Sequence, residues 1–259
     1  MVDIHSHILP GYDDGATDVY DTLEMLRVAA INGTKAIVAT PHSNLPGAPA
    51  RNCTEIKRIV SRLNQVAQKE NIGITVLSGM EIFATDDVAQ KLKAGELLTV
   101  NDTKFPLIEF DFETDSFYIF RVLESVLKEG YTPIIAHPER YRCIAENIHL
   151  AYELYRMGAV IQINKGSVRG RFGKKAAVAA AAILNHRLAA VAASDSHNLF
   201  TKTPDLSEFA IFLDMNFGSG CSSLILNENP ERIINGENVC WQSPIPFKRT
   251  FTHSKTRSV

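Results

Sequence analysis

The sequence has no long apolar run, and its beginning lacks the basic and then apolar segments of a secretory signal. No stretch of the 259 residues approaches the roughly 18 apolar residues that cross a bilayer. We therefore expect a cytoplasmic protein without membrane insertion. The sequence also lacks a large net charge, since 27 Lys and Arg nearly balance 29 Asp and Glu. This balance gives no reason to expect nucleic acid as a partner.

Cysteine is also scarce, and its placement excludes two kinds of site. The four cysteines lie at positions 53, 143, 221 and 240, without the CxxC spacing of a zinc knuckle or a redox pair. None has an arginine six positions later, as the phosphate-binding loop of a cysteine-dependent tyrosine phosphatase requires. The sequence also lacks a Walker-type glycine motif, so it does not support nucleotide binding through a P-loop.

The apolar segments are short and recur along the chain. Partly β-branched runs occur at 2–4, 36–40, 74–77, 106–110, 133–136, 159–163 and 188–193. Such runs are typical of strands buried on both faces, and the amphipathic segments between several of them are typical of helices. The alternation predicts repeated βα units with right-handed crossovers. We expect an α/β protein with a distorted (β/α)7 TIM-like barrel as one domain over residues 1–242. The polar, basic tail over 243–259 has the composition of a disordered segment.

Residue types that bind metals recur where the predicted strands end. They are His5 and His7 at the first strand, His42 at the second, Glu81 at the third, Glu109 at the fourth, His137 at the fifth, and Asp195 with His197 at the seventh. Loops at the carboxyl ends of barrel strands converge on one mouth. Imidazoles and carboxylates without thiolates suit Mn, Fe, Co or Zn, and this set is too large for one ion. We therefore predict a metal cluster in which a carboxylate such as Glu81 bridges two ions.

Other charged residues leave alternatives open. Asp13 and Asp14 lie in a sequence typical of a turn, yet either carboxylate could add a ligand. Arg140 would reach the same mouth and suits a phosphate, although a loop arginine is more often solvated. Lys202 would supply a second positive charge there. The basic loop 165–175 is either a contact for an acidic peptide or an exposed mobile segment.

Several motifs, taken in order, resemble those of a known family. They are Asp3-Ile4-His5-Ser6-His7 with Asp13-Asp14-Gly15, Ala39-Thr40-Pro41-His42, Gly79-Met80-Glu81, Ala136-His137-Pro138-Glu139-Arg140 and Ser194-Asp195-Ser196-His197-Asn198. Their order and spacing resemble the polymerase and histidinol phosphatase (PHP) family, and most closely its manganese-dependent tyrosine-protein phosphatases of the CpsB/CapC type. The likeness extends from residue 1 to about residue 235.

The resemblance implies a PHP fold, a distorted seven-stranded barrel that holds a trinuclear cluster, usually of manganese. Carried over, it assigns His5, His7, Glu81 and Asp195 to one ion, Glu81, Glu109 and His137 to a second, and Asp14, His42 and His197 to the third. Arg140 matches the arginine that grips the phosphate. Lys202 stands where members usually have another arginine, so the charge is kept but the bidentate fork is lost.

The same resemblance implies a substrate and a reaction. The substrate would be the phosphotyrosine-containing tail of a bacterial tyrosine kinase that controls capsular or exopolysaccharide synthesis. Hydrolysis would proceed by in-line attack of an activated water, without a covalent enzyme intermediate. Two alternatives stay open: a histidinol-phosphate phosphatase or other small-molecule phosphoesterase of the superfamily, and a catalytically silent module that binds the kinase. The oligomeric state is left open as well.

Overall fold

A computed structural model describes residues 1–247, which form nine short strands and a series of helices. The strands are β1 (Val2–Ser6), β2 (Ala36–Ala39), β3 (His42–Ser43), β4 (Thr75–Ser78), β5 (Glu81–Phe83), β6 (Leu107–Glu109), β7 (Ile134–Ala136), β8 (Val160–Asn164) and β9 (Ala189–Ala193). The helices are α1 (Val19–Ile31), α2 (Cys53–Lys69), α3 (Val88–Lys93), α4 (Ser116–Lys128), α5 (Arg142–Glu146), α6 (His149–Arg156), α7 (Lys165–Val168), α8 (Lys174–Asn185), α9 (Ser207–Phe217), α10 (Cys221–Ser223) and α11 (Asn229–Ile234). Short 3₁₀ turns occur at Val100–Asp102 and Pro138–Arg140, and a π-helical turn at Leu224–Glu228.

Seven of the nine strands lie at the seven predicted apolar runs, and the other two, β3 and β5, follow the runs 36–40 and 74–77 after short breaks. β2 and β3 are separated by Thr40 and Pro41, and proline has no N–H with which to continue a ladder. β4 and β5 are separated at Gly79, where a Cβ atom would lie 3.0 Å from Val38 Cγ1. After the two breaks His42 and Glu81 pair in register with each other. The breaks therefore bring two predicted ligands side by side.

All strand pairs are parallel, and the barrel closes between its first and last strands. The hydrogen-bonded orders are β1-β2-β4 and β3-β5-β6-β7-β8-β9. A parallel bridge joins Ser6 to Ser196, with His7 N donating to Ser196 O at 2.8 Å and Asp195 N to His5 O at 3.0 Å. The prediction of a distorted seven-stranded α/β barrel is confirmed. Closure makes the two ligand pairs from opposite ends of the chain direct neighbours.

The core has two layers, as expected when a sheet is closed on itself and covered by helices. An inner cluster contains Val2, Ile4, Val38, Leu107, Ala136, Val160 and Val191 from the strands, and is completed by residues before β6 and in α11. A larger outer cluster packs the strands against the surrounding helices. The inner side chains fill the barrel, so the polar residues at the carboxyl ends of the strands rest on a packed apolar base.

Two sequence-based expectations concern the segments outside the strands. The basic loop 165–175 contains α7 and the start of α8 rather than an irregular loop throughout. In the predicted tail, Ile245 N donates to His186 O at 3.0 Å and the Phe247 ring stacks on His186 at 3.8 Å, while residues 248–259 lie outside the described part of the chain. The domain boundary at 242 therefore stays a prediction. In the described residues, no helix has the length and apolar character required to cross a membrane.

Candidate metal centre

The nine residues predicted as metal ligands come together at the carboxyl-terminal mouth of the barrel. The set is His5, His7, Asp14, His42, Glu81, Glu109, His137, Asp195 and His197. Every member has a nitrogen or oxygen atom within 3.7 Å of such an atom of another member. Three subsets bring ligand atoms close enough to hold an ion: His7, Asp14, His42 and His197; His5, His7 and Glu81; and His42, Glu81 and Glu109.

The first pair of histidines points both Nε2 atoms at the same position. His5 Nε2 and His7 Nε2 are 3.3 Å apart, and the two oxygens of Glu81 lie 3.2 Å from one nitrogen each. Asp195 Oδ1 is 3.4 Å from His7 Nε2. Ligand atoms bound to one ion at about 2.1 Å lie roughly 3.0–3.5 Å from one another. The donors therefore have the spacing of a metal coordination shell.

Glu81 lies at the middle of the second group. Its Oε1 is 3.0 Å from His137 Nε2, and its Oε2 is 3.1 Å from His42 Nδ1. Glu109 adds oxygens 3.6 Å from His137 Nε2 and 3.7 Å from His42 Nδ1. A carboxylate with imidazoles at both oxygens suits a bridging ligand.

The third group forms around Asp14, which is mostly exposed. Asp14 Oδ1 lies 3.4 Å from both His42 Nε2 and His197 Nε2. The grouping implied by the family resemblance stays a prediction, and the observed groups differ from it: His7 also joins Asp14, His42 and His197, and His42 rather than His137 joins Glu81 and Glu109. His42 offers one ring nitrogen to Asp14 and the other to Glu81 and Glu109, so it stands between two groups instead of in the third alone.

Two further side chains orient the histidines from behind. His7 Nδ1 pairs with Asp13 Oδ2 at 2.8 Å, and Asp13 also accepts from the backbone N–H of His42. His5 Nδ1 pairs with Gln162 Oε1 at 3.0 Å. Metal-binding histidines commonly have such a partner on the second nitrogen. The sequence did not distinguish Asp13 from Asp14, but in the structure Asp13 supports His7 from behind whereas Asp14 faces the other predicted ligands. Gln162 was missed, although a glutamine inside an apolar strand was a usable signal.

The backbone and the buried polar atoms also indicate a site that a ligand completes. His137 has φ of 33° and Asp195 has φ of 50°, both in the left-handed region that costs a non-glycine residue of order 1–3 kcal/mol. Among the described residues, buried Glu81 Oε2 accepts no hydrogen bond, although it lies 3.1 Å from His42 Nδ1 and 3.2 Å from His7 Nε2. Unsatisfied buried donors and acceptors are uncommon in folded proteins, so convergent lone pairs here fit a bound cation.

Burial and neighbouring charges set the protonation of the site. Burial lowers the pKa of His137 to about 4, so its imidazole is neutral at physiological pH. Burial opposes ionisation of Asp195, yet the adjacent His7 and His5 imidazoles hold its pKa below the usual range. Burial and then the charge of Glu81 raise the pKa of Glu109 to about 7. Burial opposes protonation of His5, His7 and His42, yet neighbouring carboxylates raise their pKa values. Metals bind neutral imidazole and ionised carboxylate, so ions and protons would compete at this site.

The two predicted phosphate-binding cations reach the same mouth. Arg140 and Lys202 line a cavity of about 230 Å³, together with seven of the predicted metal ligands. The Arg140 guanidinium lies between two aromatic rings, 4.3 Å from the Phe112 centroid and 4.2 Å from that of Phe172. Lys202 Nζ lies 3.7 Å from Asp195 Oδ2. Sequence reasoning missed both phenylalanines, because their chain positions carry no sign that they meet across the arginine.

A closed parallel barrel with nitrogen and oxygen donors gathered at its carboxyl mouth defines this chain as an α/β-barrel protein with a candidate metal centre. Solved structures of that architecture are similar in fold. The phosphotriesterase homology protein from Escherichia coli superposes with a TM-score of 0.58 at 12% identity, over 90% of this chain and 97% of that one. At this level of identity the likeness concerns the fold alone.

Sequence comparison identifies the family. The family described as capsular polysaccharide synthesis, CpsB/CapC, matches residues 1–235. The tyrosine-protein phosphatase YwqE of Bacillus subtilis is 39% identical over 249 residues, or 96% of this chain and 97% of YwqE. The tyrosine-protein phosphatase CpsB of Streptococcus agalactiae serotype V is 31% identical over 92% of this chain and its whole length. The chain belongs to the CpsB/CapC family, and the predicted resemblance is confirmed.

A solved structure of this family has the same fold throughout. This structure was solved in a study of two proteins, YwqE of Bacillus subtilis and CpsB of Streptococcus pneumoniae, which are called unique metal-dependent tyrosine phosphatases. It superposes with a TM-score of 0.89 at 38% identity, over 96% of this chain and 100% of that chain.

Proposed function

We propose that this protein is a metal-dependent protein-tyrosine phosphatase. The observation that carries the proposal is the convergence of five imidazoles and four carboxylates beside Arg140, in a barrel of a family whose named relatives are tyrosine-protein phosphatases. Metal ions bound there would supply a nucleophilic water at neutral pH and neutralise developing charge on the phosphoryl oxygens.

The chain's own residues divide into three groups under this proposal. Under this proposal His5, His7, Asp14, His42, Glu81, Glu109, His137, Asp195 and His197 hold the metals. Imidazole and carboxylate donors without thiolates suit Mn, Fe, Co or Zn, and the family resemblance favours Mn²⁺ among them. Asp13 and Gln162 fix the tautomers of His7 and His5. Arg140 and Lys202 bind the phosphate.

Arg140 is suited to bind a phosphoryl group because its guanidinium is confined by two aromatic rings. Contacts with Phe112 and Phe172 restrict its movement, and planar bidentate donation suits phosphate oxygens. Lys202 contributes a compact charge on the same cavity without that directional fork. Arg140 therefore orients the phosphate, whereas Lys202 attracts it without fixing its orientation.

The protein substrate is proposed from the family. We infer that phosphotyrosine on a bacterial tyrosine kinase of capsular or exopolysaccharide synthesis is hydrolysed, and that this takes place in the cytoplasm. The family description names capsular polysaccharide synthesis, and the relatives are named tyrosine-protein phosphatases. The cavity at the barrel mouth is partly open, which suits a side chain presented by a peptide.

The test is phosphate release from a phosphotyrosyl peptide by chelator-treated protein, with and without added Mn²⁺. We expect turnover only with metal. Arg140→Ala should lower kcat/KM by about 10²–10³, the usual effect of removing one donor to transition-state charge. The matched control is Arg62→Ala, since Arg62 is an exposed arginine on α2, away from the mouth.

The other outcomes separate the alternatives. A higher kcat/KM for histidinol phosphate than for the peptide would replace the substrate assignment with a small-molecule phosphoesterase. Kinase binding without turnover under Mn²⁺, Fe²⁺, Co²⁺ or Zn²⁺ would instead support a silent binding module. Equal losses in Arg140→Ala and Arg62→Ala would remove Arg140 from the phosphate site.

A further inference from the structure

A second cavity lies beside the metal centre, between the loops that follow β8 and β9. Its volume is about 460 Å³, within the range of ligand sites in proteins. We name it the flanking groove and define it by Lys165, Arg169, Arg171, Phe172, Phe200 and Lys202. Loops after strands form the active face of a βα barrel, so the groove opens on the same face as the metal centre.

Two residues join the flanking groove to the metal centre. Phe172 lines the groove and contacts the Arg140 guanidinium at 4.2 Å. Lys202 lines both cavities. The two cavities are therefore neighbours that share Lys202 in their lining. A peptide whose phosphotyrosine enters the mouth has the groove within reach of its flanking residues.

Most charges in the groove are already balanced within the protein. Lys165 Nζ donates to Thr203 Oγ1 at 3.1 Å and Asp205 O at 2.6 Å, and burial lowers its pKa to about 8. Arg169 pairs with Glu208 at 2.9 Å. Lys165 therefore holds the loop, and Arg169 is occupied by a carboxylate of the protein itself.

Arg171 is the exception. It is exposed, it lines the groove, and within residues 1–247 it forms neither an ion pair nor a side-chain hydrogen bond. Its charge is therefore available to a ligand. Phe200, which is 88% exposed, adds an apolar surface to the lining of the same groove. Cations and an exposed ring spread along a channel suit an extended peptide better than a single small anion.

We propose that the flanking groove binds an acidic side chain of the same peptide that presents phosphotyrosine to the metal centre, with Arg171 as its main contact. The inference rests on the proposed phosphatase function and adds a substrate preference to it. Acidic residues a few positions from the phosphotyrosine would meet Arg171, whereas neutral residues would form no ion pair there.

The test compares two phosphotyrosyl peptides that differ only in flanking Asp and Glu against Asn and Gln. The measured quantity is the ratio of their kcat/KM values for each enzyme with Mn²⁺, at low and at high salt. For the unaltered protein we expect a preference of about two- to fivefold for the acidic peptide, the effect typical of exposed ion pairs, which salt reduces. Arg171→Gln should remove the preference, and Arg171→Glu should reverse it.

Arg62→Glu is the matched control, because it makes the same charge change on the exposed face of α2. It should keep the preference of the unaltered protein. An acidic-to-neutral ratio that is one in the unaltered protein, or that is the same in Arg171→Glu and Arg62→Glu, would overturn the groove assignment while leaving the phosphatase function intact. No hydrolysis of either peptide would overturn the phosphatase function, and the groove assignment with it.

Discussion

Arg140 is fixed by aromatic rings from two separate parts of the chain. Phe112 follows β6 and Phe172 lies between α7 and α8, yet their ring centroids are 4.3 and 4.2 Å from the guanidinium carbon. Cation–π contacts of this kind contribute about 0.5–1 kcal/mol each at partly exposed sites. A guanidinium held in one plane loses less conformational entropy when it binds a planar pair of oxygens.

We therefore predict that Phe172→Leu weakens phosphate binding more than it changes the chemical step. With a small aryl phosphate as substrate, KM and the inhibition constant of inorganic phosphate should each rise about two- to fivefold, with kcat nearly unchanged. Phe172→Tyr keeps a ring over Arg140 and should restore both values. A fall in kcat with unchanged KM in Phe172→Leu would contradict a positioning role for this ring.

Some site residues could be predicted from their position in the sequence and others could not. Ligands at strand ends were predictable, because βα topology determines where the ends of parallel strands meet. The distinct roles of Asp13 and Asp14 were not, because adjacent turn carboxylates look alike until the backbone directs one to His7 and the other to His42. Phe172 was beyond sequence reasoning, since its contact with Arg140 depends on how two loops pack.

At the level of elements, two strand breaks determine the geometry of the mouth. Beyond Pro41 and Gly79 the chain resumes as β3 and β5, and His42 then pairs with Glu81. Without the breaks, β2 and β4 would continue their own ladder, in which Ala39 pairs with Ser78. The chain can pass this close to β2 only because residue 79 is glycine. A Cβ atom at this position would lie 3.0 Å from a methyl carbon of Val38 and 3.3 Å from that of Thr40.

We predict that Gly79→Ala destabilises the protein by about 1–3 kcal/mol, the usual cost of overpacking a core. Urea unfolding would measure the change. Gly73→Ala is the matched control, since a Cβ at Gly73 meets nothing within 4 Å, and it should change stability by less than about 0.5 kcal/mol. In a double-mutant cycle, Val38→Ala should make room for the new methyl, so the costs should be less than additive. Equal effects of the two glycine substitutions would contradict the close-packing argument.

The sequence predicted the number and order of strands better than their shape. Seven apolar runs became a closed seven-stranded barrel, because burial on both faces requires helices on the outside and a filled interior. The breaks at Pro41 and Gly79 were not predicted, although both residue types interrupt ladders, because a glycine or proline near a strand end usually marks only the end. The helix α7 within the basic loop was missed, because it is one turn stabilised by the Asn164 cap.

In the whole molecule, the barrel mouth buries several ionisable side chains close together, and apolar packing of the barrel does not offset the cost of burying them. His5, His7, Glu81 and Asp195 are buried with their donor atoms 3.2–3.5 Å apart. Ligand atoms this close are favourable only when protons or cations lie between them. If metal ions rather than protons separate these atoms, the stability of the protein should depend on metal.

We predict that Mn²⁺ raises the thermal midpoint of chelator-treated protein. A single site filled at one hundred times its Kd adds about 2.7 kcal/mol, and each kcal/mol raises Tm by about 2–4 °C in a chain of this size, so the shift should be about 5–10 °C for one site and larger for several. Calorimetry measures this without reference to activity. His137→Ala, which removes a nitrogen facing Glu81 and Glu109, should reduce the shift, whereas His149→Ala, on the outer helix α6, should keep it. A Tm that is independent of Mn²⁺ in the unaltered protein would show that these side chains are stabilised without a metal, and the ligand assignment would have to be abandoned.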